Sequence, residues 1–135
     1  MQHLFDEYVR SFHLENRLRF VPGDFLQVPL PASDVILMGH ILHDWALTEK
    51  QLVIDKTFQA LPPKGAYIAF DTLIDDERKT NTLGLLMSLN MLIETPDGFD
   101  YTGADGCGWL AQAGFKDVKT EYLAGPDSMI VGFKK

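Results

Sequence analysis

The sequence predicts an α/β fold with a mostly parallel sheet. Three observations carry that expectation. Two runs, Asp34 to Leu42 (DVILMGHIL) and Ala66 to Leu73 (AYIAFDTL), are almost continuously apolar, the pattern of parallel strands buried on both faces. Segments of helical periodicity alternate with them. Two alternating stretches, Val118 to Leu123 and Ser128 to Phe133, flank Gly125-Pro126-Asp127 and read as an antiparallel hairpin.

The elements follow in order. Leu4, Tyr8, Val9 and Phe12 recur at helical spacing, so residues 3–13 form a short amphipathic helix. Arg17-Leu18-Arg19-Phe20-Val21 alternates polar and apolar, a strand ended by Pro22-Gly23. After the run at 34–42, Thr48 caps a helix with Gln51 as its capping-box partner. Leu47, Ile54, Phe58 and Leu61 are its apolar stripe, and Pro62-Pro63 stops it before Gly65 turns the chain. After the strand at 66–73, the charged run Asp75-Asp76-Glu77-Arg78-Lys79 reads as a solvated loop. Residues 81–94 form a Leu- and Met-rich helix. Ala104 to Ala113 is a weaker helix, closed by Gly114 and diluted by Gly106 and Gly108.

The chain has 135 residues, 46% of them apolar and 23% charged, enough for one domain with a single core and too apolar for disorder. Acidic residues outnumber basic ones 19 to 12, and without a dense basic run such a chain does not grip a phosphate backbone. No nucleic-acid partner is expected. The longest apolar stretch, Leu83 to Ile93, is too short to span a bilayer, so no membrane partner is expected either. The single cysteine, Cys107, excludes an internal disulfide framework and a multi-cysteine zinc site. It fits a reducing cytoplasm, and Asp6 and Glu7 near the start do not suit a signal peptide.

Chemistry-bearing side chains collect where strands end. Asp24 follows the first strand, His43 and Asp44 the second, and Asp71 closes the third. In open parallel sheets ligands bind outside these carboxyl ends. His40 and His43 are three apart, but on a strand they point to opposite faces, so no metal site is expected.

Further motifs stand in a telling order: Gly23-Asp24-Phe25, then DVILM at 34–38, then His43-Asp44-Trp45, then the strand ending at Asp71, then Gly98 to Thr102, then Ala113-Gly114-Phe115. In this order and spacing the chain resembles the S-adenosylmethionine-dependent O-methyltransferases of the plant caffeic-acid and bacterial polyketide type, from about residue 5 onward. The resemblance implies a partial Rossmann-like methyltransferase sheet with flanking helices and a C-terminal antiparallel hairpin. It implies that residues 1–135 are the C-terminal portion of a class I catalytic domain, because the family's glycine-rich cofactor turn and helical dimerisation domain have no counterpart here. Two strands of the family would then be missing between residues 17–21 and 34–40. The 17–21 strand is expected to pair directly beside the next one, to recruit another chain, or to lie peripheral to a core built from 34–135.

The resemblance also assigns roles. His43 matches the catalytic base, with Asp71 and Asp100 at the positions of two carboxylates that bracket it. Chemistry supports the choice: a phenol ionises near pH ~10 and an imidazole near ~6.5, so a histidine can take the proton as attack begins. Asp24 matches the acceptor of the adenine amine, Phe25 the residue on the adenine face, and Trp45 a residue near the cofactor. Gly39 stands where plant members carry lysine. Met87, Asn90, Met91 and Thr95 match a helix lining the acceptor pocket. The residues alone leave open a cap role for Asp24 and core roles for Phe25, Trp45 and the methionines. The implied activity is methyl transfer from S-adenosylmethionine to a hydroxyl of a small, aromatic molecule, by a homodimer at full length. Two other classes compete: a non-catalytic truncated or split-gene piece that only folds or associates, and a metal-dependent hydrolase built on His40, His43 and Asp44.

Overall fold

The structure is a computed structural model and describes residues 1–135. Helix α1 (Gln2–Ser11) leads, as its periodicity predicts. Strand β1 (Val35–Gly39), helix α2 (Leu47–Ala60), strand β2 (Ala66–Asp71) and helices α3 (Thr82–Glu94) and α4 (Gly103–Gln112) follow. Strands β3 (Lys116–Ala124) and β4 (Asp127–Phe133) close the chain. No helix is long and apolar enough to cross a membrane.

The four strands run in the order β1-β2-β4-β3. β1 and β2 are parallel, with Val35 opposite Ala66 and Gly39 opposite Phe70. β2 and β4 are antiparallel, with Asp71 opposite Ser128. The β3–β4 hairpin turns through Gly125 and Pro126, and Gly125 takes φ +58°, a conformation that such a tight loop asks of its first residue. The sheet is therefore one parallel and two antiparallel pairs, not mostly parallel, because the hairpin supplies half the strands and inserts β4 beside β2.

Two strand expectations are corrected. Residues 17–21 form no strand and lie outside the sheet. A lone extended segment without a neighbour has nowhere to place its backbone hydrogen bonds. This is the peripheral outcome among the three expected. β1 is also not buried on both faces: it is the sheet's edge, and Val35 and Leu37 are more than half exposed. Ile36 and Met38, on its other face, pack on the core.

That core lies between the sheet and α2 and α4. Leu42, Val53, Ile54, Leu61, Tyr67, Ala69, Tyr101, Leu110, Phe115 and Ile130 form one buried cluster. The start of α2 differs from expectation. Ala46 precedes it, and the first helical bond runs from Lys50 N–H to the Ala46 carbonyl. Thr48 is thus inside the helix, and its hydroxyl donates to Glu49 rather than capping. The other end is capped from outside: Lys134 Nζ donates to the Phe58 and Leu61 carbonyls at 2.7 Å each, satisfying acceptors that a helix end leaves orphaned. α4 carries a complete capping box between Thr102 and Asp105, and Asn81 caps α3.

Candidate active site

The site is built where β1 and β2 stop. At Gly39 a Cβ would stand 2.0 Å from the Phe70 ring, so only glycine lets that ring cross the end of β1. His40 then turns left-handed, with φ +51°. A 3-10 turn over Leu42–Asp44 drops the His43 ring inward, leaving the residue 7% exposed. β2 ends beside it in Asp71. The loop between α3 and α4 brings Asp100, held close by Gly98, whose missing side chain leaves room for the backbone of His43 and Asp44.

These residues converge on one imidazole. His43 Nδ1 lies 3.1 Å from Asp100 Oδ1 and donates to it. Asp71 Oδ1 stands 3.7 Å from the same nitrogen. Nε2, on the outer side, is 3.4 Å from the half-exposed Asp44 carboxylate. Tyr101 donates its hydroxyl to Asp71 Oδ2 at 2.6 Å. Asp71 and Asp100 are both nearly fully buried, and each keeps one oxygen, Oδ1 and Oδ2 respectively, without a hydrogen-bond partner.

The electrostatics follow. The hydrogen bond to Asp100 raises the His43 pKa above its usual 6.5 against the opposing effect of burial, and the charges of Asp71, Asp100 and Asp44 raise it further. Burial lifts Asp71 to about 6 despite the Tyr101 hydrogen bond and the nearby histidines. An imidazole with Nδ1–H fixed on a carboxylate keeps the Nε2 lone pair free as an acceptor of protons.

The remaining residues singled out from the sequence fall as follows. Asp24 is exposed in a turn, where its Oδ1 accepts from Leu26 N–H at 2.9 Å. Phe25 and Trp45 pack edge to face, ring centres 5.6 Å apart. Met87 and Asn90 are half-buried and Met91 is buried on α3. The Thr95 hydroxyl is committed to the end of that helix: it donates to the Met91 carbonyl and accepts from Gly98 N–H. The expectation that His40 and His43 face opposite ways is wrong. β1 ends before them, and their rings lie 5.9 Å apart. His40 Nδ1 is 3.9 Å from Asp71 Oδ1, and Nε2 is 3.2 Å from Asp127. His40, His43 and Asp71 thus offer ligand atoms within 4.8 Å of one another.

Two further residues join the site that the sequence reading does not single out, Lys50 and Tyr101. Lys50 is fully buried, and a signal existed: with Ile54, Thr57 and Leu61 it shares the inward stripe of α2, where a charged residue is out of place.

Comparison with known proteins places the chain in a family. Residues 5–116 match the profile of the O-methyltransferase domain. The chain belongs to that family. It is 42% identical over 134 residues to the tetracenomycin polyketide synthesis 8-O-methyl transferase TcmO of Streptomyces glaucescens, covering 99% of this chain and 40% of that protein. It is 34% identical over 109 residues to human acetylserotonin O-methyltransferase, covering 81% of this chain and 31% of that one. Among solved structures, PigF with SAH superposes with a TM-score of 0.86 at 27% identity, over 96% of this chain and 39% of that one. The chain thus spans about two fifths or less of the length of these relatives.

Proposed function

We propose that this chain carries the base-bearing part of an S-adenosylmethionine-dependent O-methyltransferase acting on a hydroxyl of a small aromatic molecule. One observation supports it above all: a buried histidine with Nδ1 tied to Asp100 and a second carboxylate, Asp71, beside it. His43 is the base, and Asp100 and Asp71 orient it. We read residues 1–135 as the C-terminal portion of a class I catalytic domain, because the relatives are more than twice as long and no glycine-rich G-x-G-x-G turn occurs in the sequence. On this reading a homodimer and a cytoplasmic location follow the family resemblance and the single cysteine.

S-adenosylmethionine supplies a methyl group already activated on a sulfonium. The residues here fit its adenine side: Asp24 offers an exposed carboxylate, and Phe25 with Trp45 offers an aromatic pair. The chain's own task is the proton. Neutral His43 accepts it at Nε2 from the acceptor hydroxyl while Nδ1–H stays on Asp100, and the imidazolium formed is stabilised by Asp71, Asp100 and Asp44. Met87 and Asn90, half-buried on α3, and Met91 and Thr95 beside them, line the acceptor side. Because the carboxylates hold the His43 pKa above 6.5, the base is neutral, and the rate full, only at pH above that raised value.

The test is His43→Ala in the full-length enzyme, of which residues 1–135 alone are expected to be inactive, in a labelled-methyl transfer assay. kcat falls by roughly 100-fold or more, the scale of a lost general base, with little change in cofactor affinity. A kcat within a few-fold of wild type would remove His43 from this role.

A further inference from the structure

Lys50 is the one buried cation beside the site. It comes from the first turn of α2, an element that contributes none of the site residues above. Its residue is 0% exposed, which a lysine tolerates only when its ammonium is fully partnered. Two carbonyls and one aromatic ring surround it. One N–H reaches the Trp45 carbonyl at 2.5 Å, one reaches the Phe99 carbonyl at 3.0 Å, and the Phe99 ring lies under the nitrogen, its centre 3.5 Å away.

The two carbonyls are the informative part. Trp45 lies two residues after His43 and Phe99 lies one before Asp100. These segments are far apart in sequence and carry the two ends of the Nδ1–Asp100 hydrogen bond. We propose that Lys50 is a positioning residue that staples the His43 turn to the Asp100 loop and so sets the hydrogen bond orienting the base. The proposal rests on the reading of His43 as the base.

A purely electrostatic role would act with the opposite sign. The charged groups around the ammonium are Asp100 from the α3–α4 loop, Asp71 from β2, Asp44 from the 3-10 turn and Glu49 from α2 itself. A positive charge here disfavours a second one on His43, so deleting it by itself would raise the His43 pKa. Deleting a staple loosens Asp100 from Nδ1 and lowers that pKa toward 6.5.

The experiment is an NMR titration of the His43 imidazole in wild type, Lys50→Met and Lys50→Gln, with circular dichroism to confirm folding. Lys50→Met should lower the His43 pKa. Lys50→Gln, which keeps a neutral donor, should restore part of the difference. In methyl-transfer assays of the full-length enzyme at saturating substrate the Met variant should lose about tenfold in kcat, with KM for the acceptor within about twofold. An unchanged or raised His43 pKa in folded Lys50→Met overturns the proposal, and so does unfolding of both variants, which would assign Lys50 to stability alone. The titration reads geometry whether or not His43 is the base, so failure of the parent reading would show separately, in the activity of His43→Ala.

Discussion

Replacing Asp71 by Asn should stabilise the protein and impair it at the same time, and the size of the first effect can be worked out. The Asp71 carboxyl is 1% exposed, and one of its oxygens has no hydrogen-bond partner. Burial disfavours the charged form and lifts its pKa from the usual 3.8 to about 6. The folded state therefore holds this proton more tightly than the unfolded chain. Stability from the group is full below about pH 4 and is lost as pH rises through about 6. A rise of roughly two pKa units corresponds to about 3 kcal/mol at neutral pH, an upper bound on what an uncharged isostere recovers. Asn keeps the shape and still accepts from Tyr101. Urea unfolding of both proteins at pH 4.5 and pH 8, fitted with a shared slope, is the assay. About 1 kcal/mol of that is already present at pH 4.5, so the Asn variant should gain on wild type by about 2 kcal/mol between the two conditions, while methyl transfer by the full-length enzyme falls. A stability difference that does not change with pH, or one that turns against Asn at pH 8, would refute the reasoning.

Two other outcomes are expected. The chain of residues 1–135, having no glycine-rich turn, should bind S-adenosylhomocysteine with a Kd no better than roughly 1 mM, about -4 kcal/mol, and micromolar binding in a calorimetric titration would contradict this. Gly39→Ala should cost about 1–3 kcal/mol by overpacking against Phe70, and trimming that ring in the double variant Gly39→Ala/Phe70→Ala should remove the clash, so that the two changes are strongly non-additive in urea unfolding.

How much of this was legible in the sequence depended on where the controlling interactions lie. α3, α4 and the β3–β4 hairpin were read within a residue or two of their bounds, because caps, periodicity and turn residues are local signals. The 17–21 segment misled because alternation describes a side-chain pattern and says nothing about a partner strand. Thr48 misled for a similar reason: Ala46 can open a helix without a side-chain cap when the turn before it is fixed by tertiary contacts. His40 was misplaced because the strand ends one residue before it, at a glycine forced by Phe70, 31 residues further along. The trio His43, Asp71 and Asp100 was named through family resemblance. That Asp100 touches the ring while Asp71 only approaches it follows from how β2 and the α3–α4 loop converge, which no local pattern encodes. Lys50 escaped because a single lysine on a helix is normally solvated, and only its place on the inward stripe marked it.

The charge count around the imidazole explains why a buried cation belongs there. At neutral pH most of Asp71 is ionised, and Lys50, whose pKa burial lowers to about 8, is still protonated. With His43 neutral, the two buried carboxyl groups outnumber the one buried ammonium. When His43 takes a proton two cations face the two carboxyl groups, and the nearby Asp44 stabilises the product further. Proton uptake thus moves a low-dielectric cluster toward neutrality, the direction that burial favours. Without Lys50 the two carboxylates would face each other with nothing to offset them, and one would tend to bind the proton meant for the histidine. The lysine therefore makes His43 slightly less basic by its charge, while by holding Trp45 and Phe99 it keeps the carboxylate that makes His43 more basic in place. As pH passes about 8 the ammonium loses its proton and with it part of the grip on those carbonyls. The rate should then decline above that point even though His43 is fully neutral. In the full-length enzyme the pH–rate profile should rise above pH 6.5 and fall again above about 8 in wild type, and lose the alkaline fall in folded Lys50→Gln; a wild-type profile flat to pH 9 would break the link between the ammonium and the rate.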